Sequence, residues 1–125
     1  MGKRILVIDD DVGIVLILRD RLRSYGYEVT CAYDGATGIE KISEVDPHCV
    51  LLDLEMPGMS GFEVLEALKK SRPALPVLVV TASASKPAAK RALDAGAAGY
   101  VLKPFDPETL RKEVGRITCS AEESK

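Results

Sequence analysis

The stretch Arg4-Ile5-Leu6-Val7-Ile8-Asp9-Asp10-Asp11 decides the fold. Four apolar residues in a row, stopped by three acids, are too short for a helix core and read as a strand buried on both faces. A strand covered on both sides belongs in a parallel sheet with helices above and below it. The pattern recurs at Cys49-Val50-Leu51-Leu52, which ends at Asp53, and at Val77-Leu78-Val79-Val80, which ends at Thr81. Two further short runs, Glu28–Ala32 and Gly99–Leu102, bring the expected strands to five.

The segments between them carry helical spacing. Ile14, Leu18 and Leu22 recur along residues 12–25, and Gly26 follows where a left-handed residue closes a helix. Asp34 caps a helix with Ile39 and Ile42 that must stop before Pro47. Ser60-Gly61-Phe62-Glu63 is a capping box ahead of Leu65 and Leu68. Ser85 precedes the helix of Ala88, Ala89, Ala92, Leu93 and Ala95, closed by Gly96. Asp106-Pro107 opens the last helix, with Leu110, Val114 and Ile117 as its inner stripe. Five strand-then-helix units with right-handed crossovers make an open, doubly wound α/β domain. Periodicity alone leaves the strand order undetermined.

Composition narrows the function. The 125 residues suit one domain, taken as residues 1–119, with 120–125 a polar C-terminal tail or the start of a linker. Seventeen basic against nineteen acidic residues give a net charge of −2, without the basic footprint of a nucleic-acid binder. No apolar run approaches the roughly 18 residues of a membrane span, and the one before Asp9 is too short for a signal peptide. Cys31, Cys49 and Cys119 are an odd set without a close pair, which suggests neither disulfides nor a zinc knuckle. The expected setting is the cytoplasm.

The chemistry lies at the strand ends. Asp9 and Asp10, Asp53, Thr81 and Lys103 end strands one, three, four and five. In a parallel sheet those ends share one edge, where open α/β sheets bind ligands. Converging carboxylates raise one another's pKa or recruit a cation, and an all-oxygen set suits Mg²⁺. A divalent ion and an ammonium beside a carboxylate are equipped to place a phosphoryl group on it. Thr81 has a hydroxyl to donate to the product.

From about Lys3 to Ile117 the chain resembles the receiver domain of two-component response regulators. The matching motifs are Ile5-Leu6-Val7-Ile8-Asp9-Asp10-Asp11, Asp53-Leu54-Glu55-Met56-Pro57-Gly58-Met59-Ser60-Gly61, Val79-Val80-Thr81-Ala82 and Gly96 through Phe105. The resemblance implies a flavodoxin-like, three-layer fold of strand order 2-1-3-4-5. It implies that Asp53 accepts phosphate from the phosphohistidine of a sensor histidine kinase or phosphotransfer protein. Asp9, Asp10, Asp53 and the Glu55 carbonyl would hold Mg²⁺, and Lys103 would pair with the phosphoryl group. Thr81 and Tyr100 would form the switch pair, with Glu55 and Ala82 modulating the site. A cis Lys103–Pro104 bond is implied, as is a signalling surface of the fourth helix, fifth strand and fifth helix toward a downstream effector or output domain. No nucleic-acid or membrane contact by the domain itself is implied.

Plainer readings stand beside these. Any one of the first acids could be a helix cap, with Asp11 best suited to it. Asp53 reads as a turn residue and Lys103 as a strand-end lysine when each is taken alone. Thr81 is also an ordinary β-former, and Tyr100 a core residue with a surface hydroxyl. His48 reads as a solvated side chain and no phosphodonor. Lys86, Lys90 and Arg91 could be only a solvated face. The rival functions are a small phosphatase of the haloacid dehalogenase type, whose nucleophile would be Asp9, a flavodoxin-like cofactor binder, and a docking module independent of phosphorylation. Three aspartates after strand one would repel a cofactor phosphate.

Overall fold

The computed structural model describes residues 2–82 and 85–123, with side chains described up to Thr118. The strands are β1 (Arg4–Ile8), β2 (Glu28–Ala32), β3 (Cys49–Leu52), β4 (Val77–Thr81) and β5 (Gly99–Leu102). The helices are α1 (Val12–Ser24), α2 (Gly35–Val45), α3 (Gly61–Ser71), α4 (Lys86–Asp94) and α5 (Pro107–Glu123). All strand pairs are parallel, in the order β2-β1-β3-β4-β5. This is the flavodoxin-like order that the resemblance implied. The last helix continues into residues 120–123, the stretch read as a polar tail; residues 124 and 125 lie outside the described residues, as does the side chain of Cys119.

Alternation along each strand builds two cores. Leu6, Ile8, Val50, Leu52, Val77 and Val79 face α2, α3 and α4. Ile5, Val7, Cys49, Leu51, Leu78 and Val80 face α1 and α5. Successive strand residues point to opposite faces, so a strand sandwiched between helix layers must be apolar at every position. Buried in this way, the Cys49 thiol is pushed up to about 12 and is inert at neutral pH.

The caps fall where the side chains require them. Asp11, Asp34, Ser60 and Ser85 each accept the N–H three residues on, satisfying a donor that the first helical turn leaves open. Asp106 does the same for Thr109 at the start of α5. One expectation needs correction. His48 is half-buried, and its Nδ1 accepts the Arg4 N–H at 3.0 Å, so it secures the start of β1 instead of standing in solvent. Leu93 is 50% exposed, because only Ala92 of α4 reaches the core.

Two glycines in helices test the packing in opposite directions. A side chain at Gly61 would collide with the backbone of Asp53 and Leu54, whereas one at Gly115 would meet open space. Gly61→Ala is expected to destabilise the fold by about 1–3 kcal/mol through overpacking. Gly115→Ala should stabilise it by about 1 kcal/mol through helix propensity. Urea denaturation of the two variants beside the parent chain checks both signs.

Candidate functional site

Strand register builds the site. Ile8 lies opposite Leu52, so Asp9 and Asp53 emerge side by side where β1 and β3 end. The Asp53 N–H donates to the Ile8 carbonyl at 3.0 Å, and the Asp9 N–H to the Ala32 carbonyl at 3.1 Å. On the other side Thr81 lies opposite Leu102, and the next residue, Lys103, donates its N–H to the Thr81 carbonyl at 2.9 Å. The Lys103–Pro104 bond is cis. Residues more than forty positions apart in sequence thus meet at one edge of the sheet.

The Lys103 ammonium spans the gap. Its Nζ lies 2.6 Å from Asp9 Oδ2 and 3.3 Å from Asp53 Oδ2. The three side chains are only 12%, 3% and 7% exposed, respectively. Their other oxygens are also held. Asp9 Oδ1 accepts the Asp11 N–H at 3.0 Å, and Asp53 Oδ1 accepts the Glu55 N–H at 3.2 Å. Each carboxylate therefore has one oxygen fixed by the backbone of the loop that follows it and the other by the shared lysine.

Burial pushes the Asp9 carboxyl above its ordinary pKa; the Asp53 charge adds to this, and Lys103 and the Asp11 N–H oppose it. Burial also works against the Lys103 charge, but the two carboxylates outweigh it and hold the ammonium above the ordinary lysine range. The site is thus short of positive charge. Asp9, Asp10 and Asp53 each offer a carboxylate oxygen, all within 4.8 Å of one another. Three hard oxygen donors, one of them exposed, fit a small divalent cation that keeps part of its water shell.

The remaining expected residues lie around this centre. Thr81 is fully buried at the end of β4. Tyr100 is half-buried and packs against the core on the α2–α3–α4 side. Glu55 and Ala82 are exposed at the rim, and Glu55 touches the centre through its backbone N–H. Asp11 caps α1, the plain part expected of it, and its N–H also orients Asp9.

The sequence places Gly61 in a capping box and at the end of the Asp53 motif, without showing what it packs against. Its N–H donates to the Leu54 carbonyl at 3.1 Å, and its bare Cα lets α3 start directly against the Asp53 loop. Gly58, at φ +75°, supplies the left-handed step between them. The Gly58 and Gly61 pair after a strand-end acid is the sequence signal for such a close approach.

Comparison with known proteins gives a consistent picture. Residues 5–115 match the family described as response regulator receiver domain. The transcriptional regulatory protein ZraR of Salmonella typhimurium is 38% identical over 120 residues, which are 96% of this chain and 27% of that protein. The chain therefore spans about a quarter of the length of that relative. A CheY-like response regulator receiver domain protein from Methanospirillum hungatei superposes with a TM-score of 0.94 at 34% identity, covering 100% of both chains. Chemotaxis protein CheY4 of Vibrio cholerae superposes with a TM-score of 0.88 at 31% identity, over 94% of this chain and 99% of that one.

The raised Asp9 value fixes the sign of a pH effect. A carboxyl whose folded pKa lies above its unfolded one contributes most below the ordinary value of about 3.9, and that contribution fades as pH rises through the folded value. In buffer free of divalent cations, Asp9→Asn should remove this decline. Urea denaturation across the acid range is expected to show the wild type losing stability relative to the variant as pH rises toward neutrality.

Proposed function

The chain belongs to the response regulator receiver family, and from that footing we propose that Asp53 is its phosphoacceptor. The observation that carries the proposal is the Lys103 ammonium held between Asp9 and Asp53. It presents a positive charge beside a carboxylate at the edge where ligands of open α/β sheets bind. A sensor histidine kinase or phosphotransfer protein presents the donor. An Asp53 oxygen attacks the phosphorus of its phosphohistidine. The new O–P bond forms as the P–N bond breaks, and the departing imidazole keeps the electron pair and takes a proton from water.

The residues around Asp53 divide the remaining work. Lys103 neutralises charge on the phosphoryl oxygens. Asp9, Asp10, Asp53 and the Glu55 carbonyl hold Mg²⁺, which supplies further neutralisation when bound. Thr81 donates its hydroxyl to the phosphorylated form, and Tyr100 turns inward behind it. Glu55 and Ala82, exposed at the rim, modulate phosphate loss. The domain promotes its own phosphorylation and dephosphorylation, but its product is a change of binding surface.

That surface is α4, β5 and α5, and it acts on a downstream effector or output domain in the cytoplasm. Among the described residues no helix is long and apolar enough to cross a membrane. The ZraR relative is named a transcriptional regulatory protein; by that analogy any nucleic-acid contact here would belong to an output domain and not to this one.

Acetyl phosphate with Mg²⁺, followed by peptide mapping, tests the assignment. The label is expected on Asp53 and absent from Asp53→Asn. Lys103→Met should slow labelling by about 10²-fold, the order of effect of removing one preorganised donor from a reacting centre. A label on Asp9 would instead favour the phosphatase reading, in which the nucleophile lies on β1.

A further inference from the structure

The helix α4 is thinly attached. Of its nine residues, Lys86–Asp94, only Ala92 is buried, whereas the eleven-residue α3 buries Gly61, Val64, Leu65 and Leu68. The C-terminal end of α4 is fastened to the body: the Ala97 N–H donates to the Ala92 carbonyl and the Ala98 N–H to the Val77 carbonyl of β4. Its other end begins at the Ser85 cap, four residues after Thr81. A further link crosses to α3, where the Arg91 guanidinium carbon lies 3.9 Å over the centroid of the Phe62 ring.

Phe62 is well placed to pass that link on. It follows Gly61, whose N–H bonds to Leu54 and whose Cα is packed on the Asp53–Leu54 backbone. Two routes therefore converge on α4. One runs from Asp53 through Gly61 and Phe62 to Arg91, and the other from Thr81 along the chain to Ser85. We propose that the Arg91–Phe62 pair is a positioning contact that holds α4 where it lies in this structure and so restrains uptake of the phosphoryl group. This rests on the assignment of Asp53 as phosphoacceptor and deepens it. A group on Asp53 that draws Thr81 pulls the start of α4, while Phe62 holds Arg91 where it is. By linkage, weakening the restraint favours the phosphorylated arrangement. An exposed cation–π contact supports an effect of roughly two- to fivefold on that equilibrium.

Four variants test the idea: Phe62→Leu, which keeps apolar bulk without a ring face; Arg91→Gln; the two combined; and Phe62→Tyr, which keeps the ring. The first measurement is amide exchange, with no phosphodonor present. Exchange across Ala88–Asp94 should quicken two- to fivefold in each of the first two variants. The combination should add nothing further, Phe62→Tyr should match the wild type, and α1 should be unchanged in all four. Unchanged α4 exchange, or fully additive effects, would overturn the positioning role. The second measurement is the rate of Asp53 labelling by acetyl phosphate with Mg²⁺, expected to rise by a similar factor. Faster α4 exchange with an unaltered or slower labelling rate would overturn the restraint. A wild type that takes no label on Asp53 refutes the phosphoacceptor assignment, and the restraint with it, whereas the exchange measurement judges the contact by itself.

Discussion

One ammonium shared by two buried carboxylates is the constraint on which the site depends. Taking ions out of water costs several kcal/mol each unless close partners compensate. The fold meets this by letting strand register, not loop geometry, set the spacing: Ile8 beside Leu52 puts Asp9 beside Asp53, and Thr81 beside Leu102 delivers Lys103 across from them. Each acid also receives one N–H from its own following loop. Counting Asp10, three acids face one lysine, an excess of two negative charges. Such an arrangement is stable enough to fold and still under-neutralised, which is the condition for taking a divalent cation and then an anion.

The apolar sheet makes this tolerable by keeping charge out of its body. Residues along β1, β3 and β4 alternate between the two cores, and charge is confined to the strand ends. The loops at that edge are correspondingly tight. Gly58 turns and Gly61 docks, so α3 starts against the backbone of Asp53 with no intervening side chain. The start of α3 and the acid are therefore one mechanical unit, while α4 is joined to that unit by far less.

Much of this was legible in the sequence. All five strands and the N-cap of every helix follow from local rules, because apolar runs ending in acids and Ser or Asp before periodic segments are short-range signals. That Asp9, Asp53 and Lys103 end strands on one edge follows from a parallel sheet, but that they are neighbours there depends on β1 lying beside β3. Strand order came only through family resemblance, as crossover topology leaves no trace in periodicity. The tertiary roles of side chains were harder to see. His48 reads as solvated because nothing near it in sequence shows that the Arg4 N–H lies across from it. Arg91 reads as a solvated charge for the same reason, its aromatic partner lying on another helix.

At the opposite end of the molecule, the Lys3 ammonium donates to the Thr118 carbonyl at 2.9 Å. The entry to β1 and the last turns of α5 are thereby clasped together, on the far side of the sheet from the aspartates. Polypeptide fused to either end would hang from this clasp and leave the acidic edge unobstructed. A pair of fluorophores attached there would sit close together and report poorly on events at the rim.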